Sequence, residues 1–556
     1  MRKCGFLLAA LLPAAAIAQP AQPPSPPFQQ SVGLPQPWAA SPKLIVAISV
    51  DQLSSDLFDE YRAQFRGGFA RLAQGSVFRN GYQGHAASET CPGHSTILTG
   101  TRPSRNGIVA NSWFDLNTAR SDKAIYCAED ERVAGSSSSS YTVSPVHLKV
   151  PTLGELMKAN SPASRVVAVA GKDRAAVMMT GQRPDQRWYW DGKRYASDLK
   201  AARVPTSVLA ANQAVAALIA APGEALASPP FCVAKSREVT VGGTSVGTGK
   251  LARAVGDARA FRATPAFDGM ALALAARLID ELALGRGAAS DLIAIGLSAT
   301  DYVGHTFGTK GEEMCLQLHS LDRDLGDFFA LLDSRKIDYS VMLTADHGGE
   351  DIPERLRTLG VAEAARSVPE LEPAALGKRL GAQLKLAGPV LIGGSANGDV
   401  YFDRALKPAD RRRALAAALA AYRAHPQVEA VFTSDQLART ALPTTTPDRW
   451  RLAERARASF DRERSGDLVV LLKRHITPIA TPGKGYVATH GSPWDYDRRV
   501  PIIFWRPGSA ASSREEAIEA IDIMPTLAAM LALPIDRSKI DGKCLTNVAN
   551  LVCPPL

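Results

Sequence analysis

The sequence predicts an α/β fold, a mostly parallel central sheet flanked by helices, with inserted segments. Three observations predict it. Short apolar runs suited to strands buried on both faces recur along the chain. Helical patterns lie between them. Several runs stop beside residues able to bind a metal, as happens where strand ends form the ligand crevice of an open α/β sheet.

Order is expected from Lys43. The first run, 44–50, stops at Asp51, and the second, 166–170, precedes Gly171-Lys172-Asp173-Arg174. A helix predicted near 269–284 leads into the third run, 292–297, and a helix predicted at 312–332 follows it. The fourth run is 339–344 and the fifth 500–505, all read as parallel strands. Segments near 112–165, 185–265 and 362–464 read as insertions, the last with strands and helices of its own. The stretches 135–140 and 242–249 are flexible loops by composition.

The chain has 556 residues, 46% of them hydrophobic and 21% charged, which excludes disordered, collagenous and fibrous classes. Its formal net charge of +9 raises a nucleic-acid partner. The basic residues are scattered among acids, and no zinc-finger, RRM or KH pattern accompanies them. No specific nucleic-acid partner is therefore expected.

Residues 1–18 have a basic start at Arg2 and Lys3, an apolar stretch to Ile17 and an Ala16-Ile17-Ala18 site, the pattern of a cleaved secretory signal. That stretch contains Pro13 and is shorter than the roughly 20 residues a membrane span needs. The expected protein is exported, periplasmic or secreted, without a membrane span. Residues 19–42, rich in proline and glutamine, read as a tether, leaving 43–556 as one decorated domain. Of seven cysteines, Cys4 leaves with the signal. Sequence proximity favours Cys91 with Cys127 and Cys544 with Cys553, leaving Cys232 with Cys315; free buried thiols are the alternative.

The stretch Gly243 to Lys250 looks like a phosphate-binding P-loop but fails its pattern. The spacing between the glycines is one residue too long, and Leu251 stands where serine or threonine belongs.

The residues beside the runs carry the chemistry. Asp51 follows the first, Asp301 and His305 the third, Asp346 and His347 the fourth, and His490 precedes the fifth. Singly, each reads as a turn former, a helix cap or a packed histidine. Together, three aspartates and three histidines suit zinc better than calcium, and they suit two ions, each with a position open for substrate. Two such metals clamp the attacking and leaving oxygens of a displacement at phosphorus. Thr90 in ASETCPGHSTILTG is the candidate nucleophile, ahead of a helix expected near Ser95 to Leu98; the bland alternative is an N-cap.

These residues resemble the alkaline phosphatase superfamily, specifically bacterial threonine-nucleophile alkaline phosphatases, relatives of the nucleotide pyrophosphatase/phosphodiesterases. The resemblance rests on VDQL, ETCPGHSTILTG, NGIVANSWFD with Asn111, GKDR at 171–174, ATDYVGH, TADHG and THGSP, in family order. It implies an alkaline-phosphatase-like fold with cap or crown segments. It also implies a zinc held by Asp301, His305 and His490, and a second held by Asp51, Asp346, His347 and the Thr90 oxygen. Asn111, Lys172 and Arg174 would hold the phosphate oxygens, with Thr90, Lys172 and Arg174 catalytic. The implied reaction is hydrolysis of small-molecule phosphate monoesters through a covalent phosphothreonine, since the lysine–arginine pair marks monoesterases. A phosphodiesterase or nucleotide pyrophosphatase is the alternative. Structural calcium is left unassigned, and the oligomeric state is open, a monomer included.

Overall fold

The computed structural model describes residues 41–200, 203–223, 226–548 and 551–554. The leader expected at 1–18 and nearly all of the tether lie outside them. Among the described residues the run LIVAISV forms β1 (Leu44–Val50), buried throughout. Its alternate residues serve two cores: Val46 and Ile48 pack on one side of the sheet, Ile45 and Ala47 on the other. A strand covered on both faces has no polar side, so it reads as continuously apolar.

Nine more strands join it: β2 (Ser76–Tyr82), β3 (Val166–Ala170), β4 (Gln186–Trp190), β5 (Tyr195–Ala196), β6 (Asp291–Leu297), β7 (Tyr339–Thr344), β8 (Arg499–Trp505), β9 (Ser512–Arg514) and β10 (Ile518–Glu519). Their order is β9-β2-β8-β7-β1-β6-β3-β4-β5, with β10 also paired to β2. The neighbours β7, β1, β6 and β3 are parallel and end in register. Ser49 pairs with Thr344, Val50 with Leu297, and Gly296 with Ala170. Residues that follow these four strands therefore emerge along one edge.

The fifth apolar run, expected to be parallel, is instead antiparallel to both its neighbours, β7 and β2. Continuous apolarity reports burial on two faces and carries no information about direction. The reversal matters for the site. The N-terminal end of β8 lies beside the C-terminal ends of its neighbours, so a residue preceding β8 reaches the same edge. β2 runs parallel to β7, so residues after β2 reach it as well.

The helices are α1 (Thr90–Thr99), α2 (Asp173–Thr180), α3 (Pro265–Glu281), α4 (Ala299–Phe307), α5 (Glu312–Ser334) and α6 (Ile523–Met530), besides shorter ones and those of the insertions. The helices expected at 269–284 and 312–332 are α3 and α5. α3 starts earlier, with Pro265 in its first turn, where a missing N–H leaves no helix hydrogen bond unmade. α3 and α5 cover one face of the sheet, through residues such as Leu278 and Phe329. α1 and α6 cover the other, through Ile97, Leu98 and Met524.

Two inserted stretches differ from expectation. β4 and β5 extend the central sheet from within 185–265, joined by a turn at Asp191-Gly192 with Gly192 at φ 103°. The glycine-rich stretch 242–249 is the tip and second strand of a hairpin, Val239–Val241 with Thr244–Val246. Gly242 and Gly243 at its tip take φ of 56° and 80°, which a two-residue hairpin turn demands. Within and just beyond 362–464, a separate four-stranded sheet runs in the order Leu391–Ile392, Gly398–Phe402, Leu468–Leu472, Val428–Thr433. It shares a core with the helices Pro373–Leu384 and Pro408–Ala424.

Among the described residues three disulfides form: Cys91–Cys127, Cys232–Cys315 and Cys544–Cys553. Among the described residues no helix is long and apolar enough to cross a membrane.

Candidate active site

The shared edge collects the metal-binding residue types. β1 hands the chain to Asp51, β6 to α4 with Asp301 and His305, β7 to Asp346 and His347, and β3 to Lys172 and Arg174. His490 arrives from the loop before β8. Two groups result, Asp301 with His305 and His490, and Asp51 with Asp346 and His347; in each, one ligand atom per residue lies within 4.8 Å of the others.

Every one of these histidines is turned the same way. The Nδ1 of His305 lies 2.7 Å from the Ala488 carbonyl oxygen, that of His347 2.8 Å from Gly348, and that of His490 2.8 Å from Ser88. A ring that donates Nδ1–H to a carbonyl presents Nε2 as a lone pair, the form a metal takes. The Nε2 atoms converge on carboxylates. His347 Nε2 is 3.4 Å from Asp51 Oδ1 and 3.3 Å from Asp346 Oδ2, and His305 and His490 stand 3.2 and 3.5 Å from Asp301 Oδ1. Asp51 Oδ1 and His347 Nε2 are buried without a hydrogen-bond partner among the described residues. Such atoms are costly unless a partner meets them.

The charge balance points the same way. Asp51, Asp301 and Asp346 are all buried, and Lys172 Nζ lies 2.6 Å from Asp51 Oδ2 and 2.5 Å from Asp301 Oδ2. Burial, and then the charge of Asp346, pushes Asp51 well above the usual carboxylate range in spite of Lys172. For Asp301, burial acts upward, but the His305 ring when protonated and the Lys172 ammonium outweigh it and hold the group well below that range. Burial likewise opposes the charge on Lys172, yet Asp301 and Asp51 keep it above the ordinary lysine value. Three buried carboxylates with one bridging ammonium leave a demand for positive charge. Divalent cations in the two Asp/His groups fit that demand and the donor chemistry.

Thr90 is the first residue of α1, so the helix starts earlier than the expected 95–98. The N-cap is Glu89, extended at φ −120° and ψ 163°, and Thr90 lies inside the helix as its first residue. The N-cap reading of Thr90 therefore fails. Pro92, in the first turn, costs no helix hydrogen bond. Gly93 sets the approach of α1 to the end of β7, because a Cβ there would come within 2.0 Å of the Asp346 carbonyl oxygen. Thr90 Oγ1 faces Lys172 Nζ at 3.5 Å and Arg174 Nη2 at 3.4 Å. Asn111 is locked to the same turn: its Oδ1 accepts from Cys91 N at 2.8 Å and its backbone N–H donates to Glu89 Oε2 at 2.7 Å.

Three supporting residues went unmarked in the sequence. Tyr126 Oη donates to Asp173 at 2.7 Å and accepts from Arg174 Nη1 at 3.3 Å, orienting the arginine. Its signal was indirect, as the neighbour of Cys127, whose disulfide partner adjoins Thr90. His94 Nδ1 lies 2.9 Å from the Thr90 carbonyl oxygen and 3.0 Å from Asp346 Oδ2, linking the first turn of α1 to a metal-group carboxylate. Gln52 takes a left-handed φ of 69°; its backbone N–H donates to Asp346 Oδ1 at 3.2 Å and its Nε2 to Asp301 Oδ1 at 3.0 Å. It thus ties together carboxylates of both groups, at a conformation costly for a residue other than glycine.

Gly304 makes room for that glutamine, since a Cβ there would fall 1.6 Å from Gln52 Oε1. Gly304→Ala is expected to displace Gln52, costing about 1–3 kcal/mol, the usual scale of overpacking. Metal affinity should fall with it. Thermal melts and metal titration check this, and unchanged values for both would remove Gln52 from the support of the site.

The chain matches the family model described as type I phosphodiesterase / nucleotide pyrophosphatase over residues 45–493. It is 52% identical, over 92% of its own length and 92% of the relative's, to alkaline phosphatase PhoK of Sphingomonas sp. It is 46% identical, over 92% of its length and 88% of the relative's, to alkaline phosphatase PhoD of Zymomonas mobilis. Among solved structures, wild-type alkaline phosphatase PafA superposes with a TM-score of 0.78 at 25% identity, covering 92% of this chain and 99% of that one.

Proposed function

The chain belongs to the type I phosphodiesterase / nucleotide pyrophosphatase family, and on that footing we propose that it is an alkaline phosphatase that hydrolyses phosphate monoesters through a covalent phosphothreonine on Thr90. The observation that carries the choice of monoesters is the approach of two cations, Lys172 and Arg174, to one hydroxyl beside the two Asp/His groups. A monoester presents two negative charges on its non-bridging oxygens and a diester one. A second cation beside the nucleophile therefore favours the monoester, and guanidinium can bind two of its oxygens at once.

Asp301, His305 and His490 would hold one metal, and Asp51, Asp346, His347 and the Thr90 oxygen the other; we read both as zinc from their mixed Asp/His donors. When bound, the pair supplies positive charge to the attacking and leaving oxygens and lowers the pKa of a hydroxyl. The chain supplies nucleophile and alignment. Thr90 Oγ1 gives up its proton and forms a bond to phosphorus as the bond to the departing oxygen breaks, and the alcohol leaves carrying a proton. Water then attacks the phosphothreonine, releasing orthophosphate and returning a proton to Thr90. Lys172, Arg174 and the Asn111 amide meet charge on the non-bridging oxygens in each step, so catalysis is chiefly positioning and electrostatics. The leader pattern and the three disulfides support export to an oxidising compartment.

The test compares an aryl phosphate monoester with its diester. The wild-type protein should favour the monoester, and Arg174→Ala should lower kcat/KM for it by about a hundredfold, the scale of a lost charge-assisted contact, with a far smaller effect on the diester. A wild-type preference for the diester, or equal losses on both esters, would replace this reading with that of a phosphodiesterase.

A further inference from the structure

The cavity beside the Asp301 group holds more positive charge than a simple ester can use. It measures about 800 Å³, and Arg174, Asp301 and His305 line it. Lys250, Arg259 and Lys484 line it too, all three exposed. Among the described residues their side chains make no ion pair or hydrogen bond. Of the two carboxylates on the wall, Asp301 belongs to the site, and Asp257 is spent on the Ala260 N–H, which it accepts at 2.8 Å.

Arg262 connects this wall to the catalytic cations. Its guanidinium lies 4.4 Å over the Tyr302 ring, with Nη1 3.3 Å from Tyr302 Oη, and Lys172 Nζ lies 5.1 Å from the same ring. Lys250 ends the glycine-rich stretch that fails the P-loop pattern; the hairpin built from that stretch, with Val241 and Val246, forms part of the same wall. Unpaired cations on a concave surface focus a field that concentrates anions.

In-line attack places the leaving oxygen opposite Thr90, and Thr90 does not line this cavity whereas Asp301 and His305 do. A leaving group therefore projects into it. We propose that the cavity is a leaving-group subsite and that the favoured substrates carry a further phosphate on the leaving group, as phosphoanhydrides and bisphosphorylated alcohols do. The inference rests on the monoesterase reading. The chemistry is unchanged: the bond from the transferred phosphorus to the leaving oxygen breaks as the bond to Thr90 Oγ1 forms. The leaving group then departs with its second phosphate, whose charges meet Lys250, Arg259 and Lys484. A neutral alcohol leaves those three cations idle.

The experiment uses the full metal-loaded protein with a matched pair, propyl phosphate and propane-1,3-diol bisphosphate. The wild type is expected to favour the bisphosphate in kcat/KM by about tenfold, the combined scale of a few solvent-exposed charge contacts, and less so as salt rises. The combined variant Lys250→Ala, Arg259→Ala, Lys484→Ala should bring that preference close to unity, while propyl phosphate turnover stays within about twofold and the melting temperature is unchanged. Equal wild-type kcat/KM for the two esters, or a preference that survives the triple variant, would overturn the subsite. Wild-type protein inactive on both esters would refute the monoesterase reading and the subsite with it.

Discussion

Thr90→Ala is expected to lower kcat/KM for an aryl monoester by on the order of 10⁴-fold or more, the scale on which removal of a covalent nucleophile acts. The protein should keep its fold and its metals. Thr90 is buried, but among the described residues its Oγ1 makes two hydrogen bonds, both long, to Lys172 and Arg174. The first turn of α1 is held by other atoms: the Asn111 amide on Cys91 N, Glu89 on Asn111, and the Cys91–Cys127 disulfide. The six Asp and His side chains of the two groups are untouched. Thr90→Ser, which keeps the oxygen, should retain a large share of turnover. Acid-quenched protein analysed by mass spectrometry should carry phosphate on residue 90 in the wild type and none in the alanine variant. Undiminished turnover in Thr90→Ala would assign the attack to another group.

Exhaustive chelation should abolish turnover and lower the melting temperature, with both restored by added zinc. Without divalent ions, Asp51, Asp301 and Asp346 are buried together with Lys172 bridging Asp51 and Asp301 and His94 beside Asp346. A ligand that binds only the folded state stabilises it by about 3 kcal/mol per site at a hundred times its Kd, so two sites contribute several kcal/mol. Activity assay, metal analysis and calorimetry on the same stripped sample check the prediction. Full turnover in protein shown to be free of metal would refute the two-metal reading.

Much of this arrangement was legible along the chain, and for a definite reason. A strand buried on both faces must be apolar throughout, so β1, β3, β6 and β7 stood out as runs, and the residues at their ends were marked by position alone. β2 and β4 did not stand out. SVFRNGY mixes arginine and asparagine into the strand, and QRWYW is short and opens on polar residues. The direction of β8 was invisible because burial is the same for either direction. It was nonetheless decisive, since an antiparallel β8 is what lets His490, which precedes the strand, join residues that follow theirs.

The supporting residues were harder to read, because a hydrogen bond between distant residues leaves no trace in local pattern. Gln52 looks like any polar residue after a strand until its left-handed φ and its bonds to Asp301 and Asp346 are known. The Lys250 stretch is the converse case. Its glycines resemble a phosphate loop, the spacing excludes one, and only the fold carries its lysine into the wall of a cavity shared with Asp301.

The sequence by itself determined the residue types: six Asp and His beside apolar runs, a threonine ahead of a helix, and a lysine–arginine pair after another strand. These are set by side-chain chemistry and by burial, which act residue by residue. Only the tertiary structure decided how they meet. Four parallel strands ending in register and one reversed strand bring residues hundreds of positions apart to a single edge, because sheet order and direction follow from how the whole chain packs and not from any one segment of it.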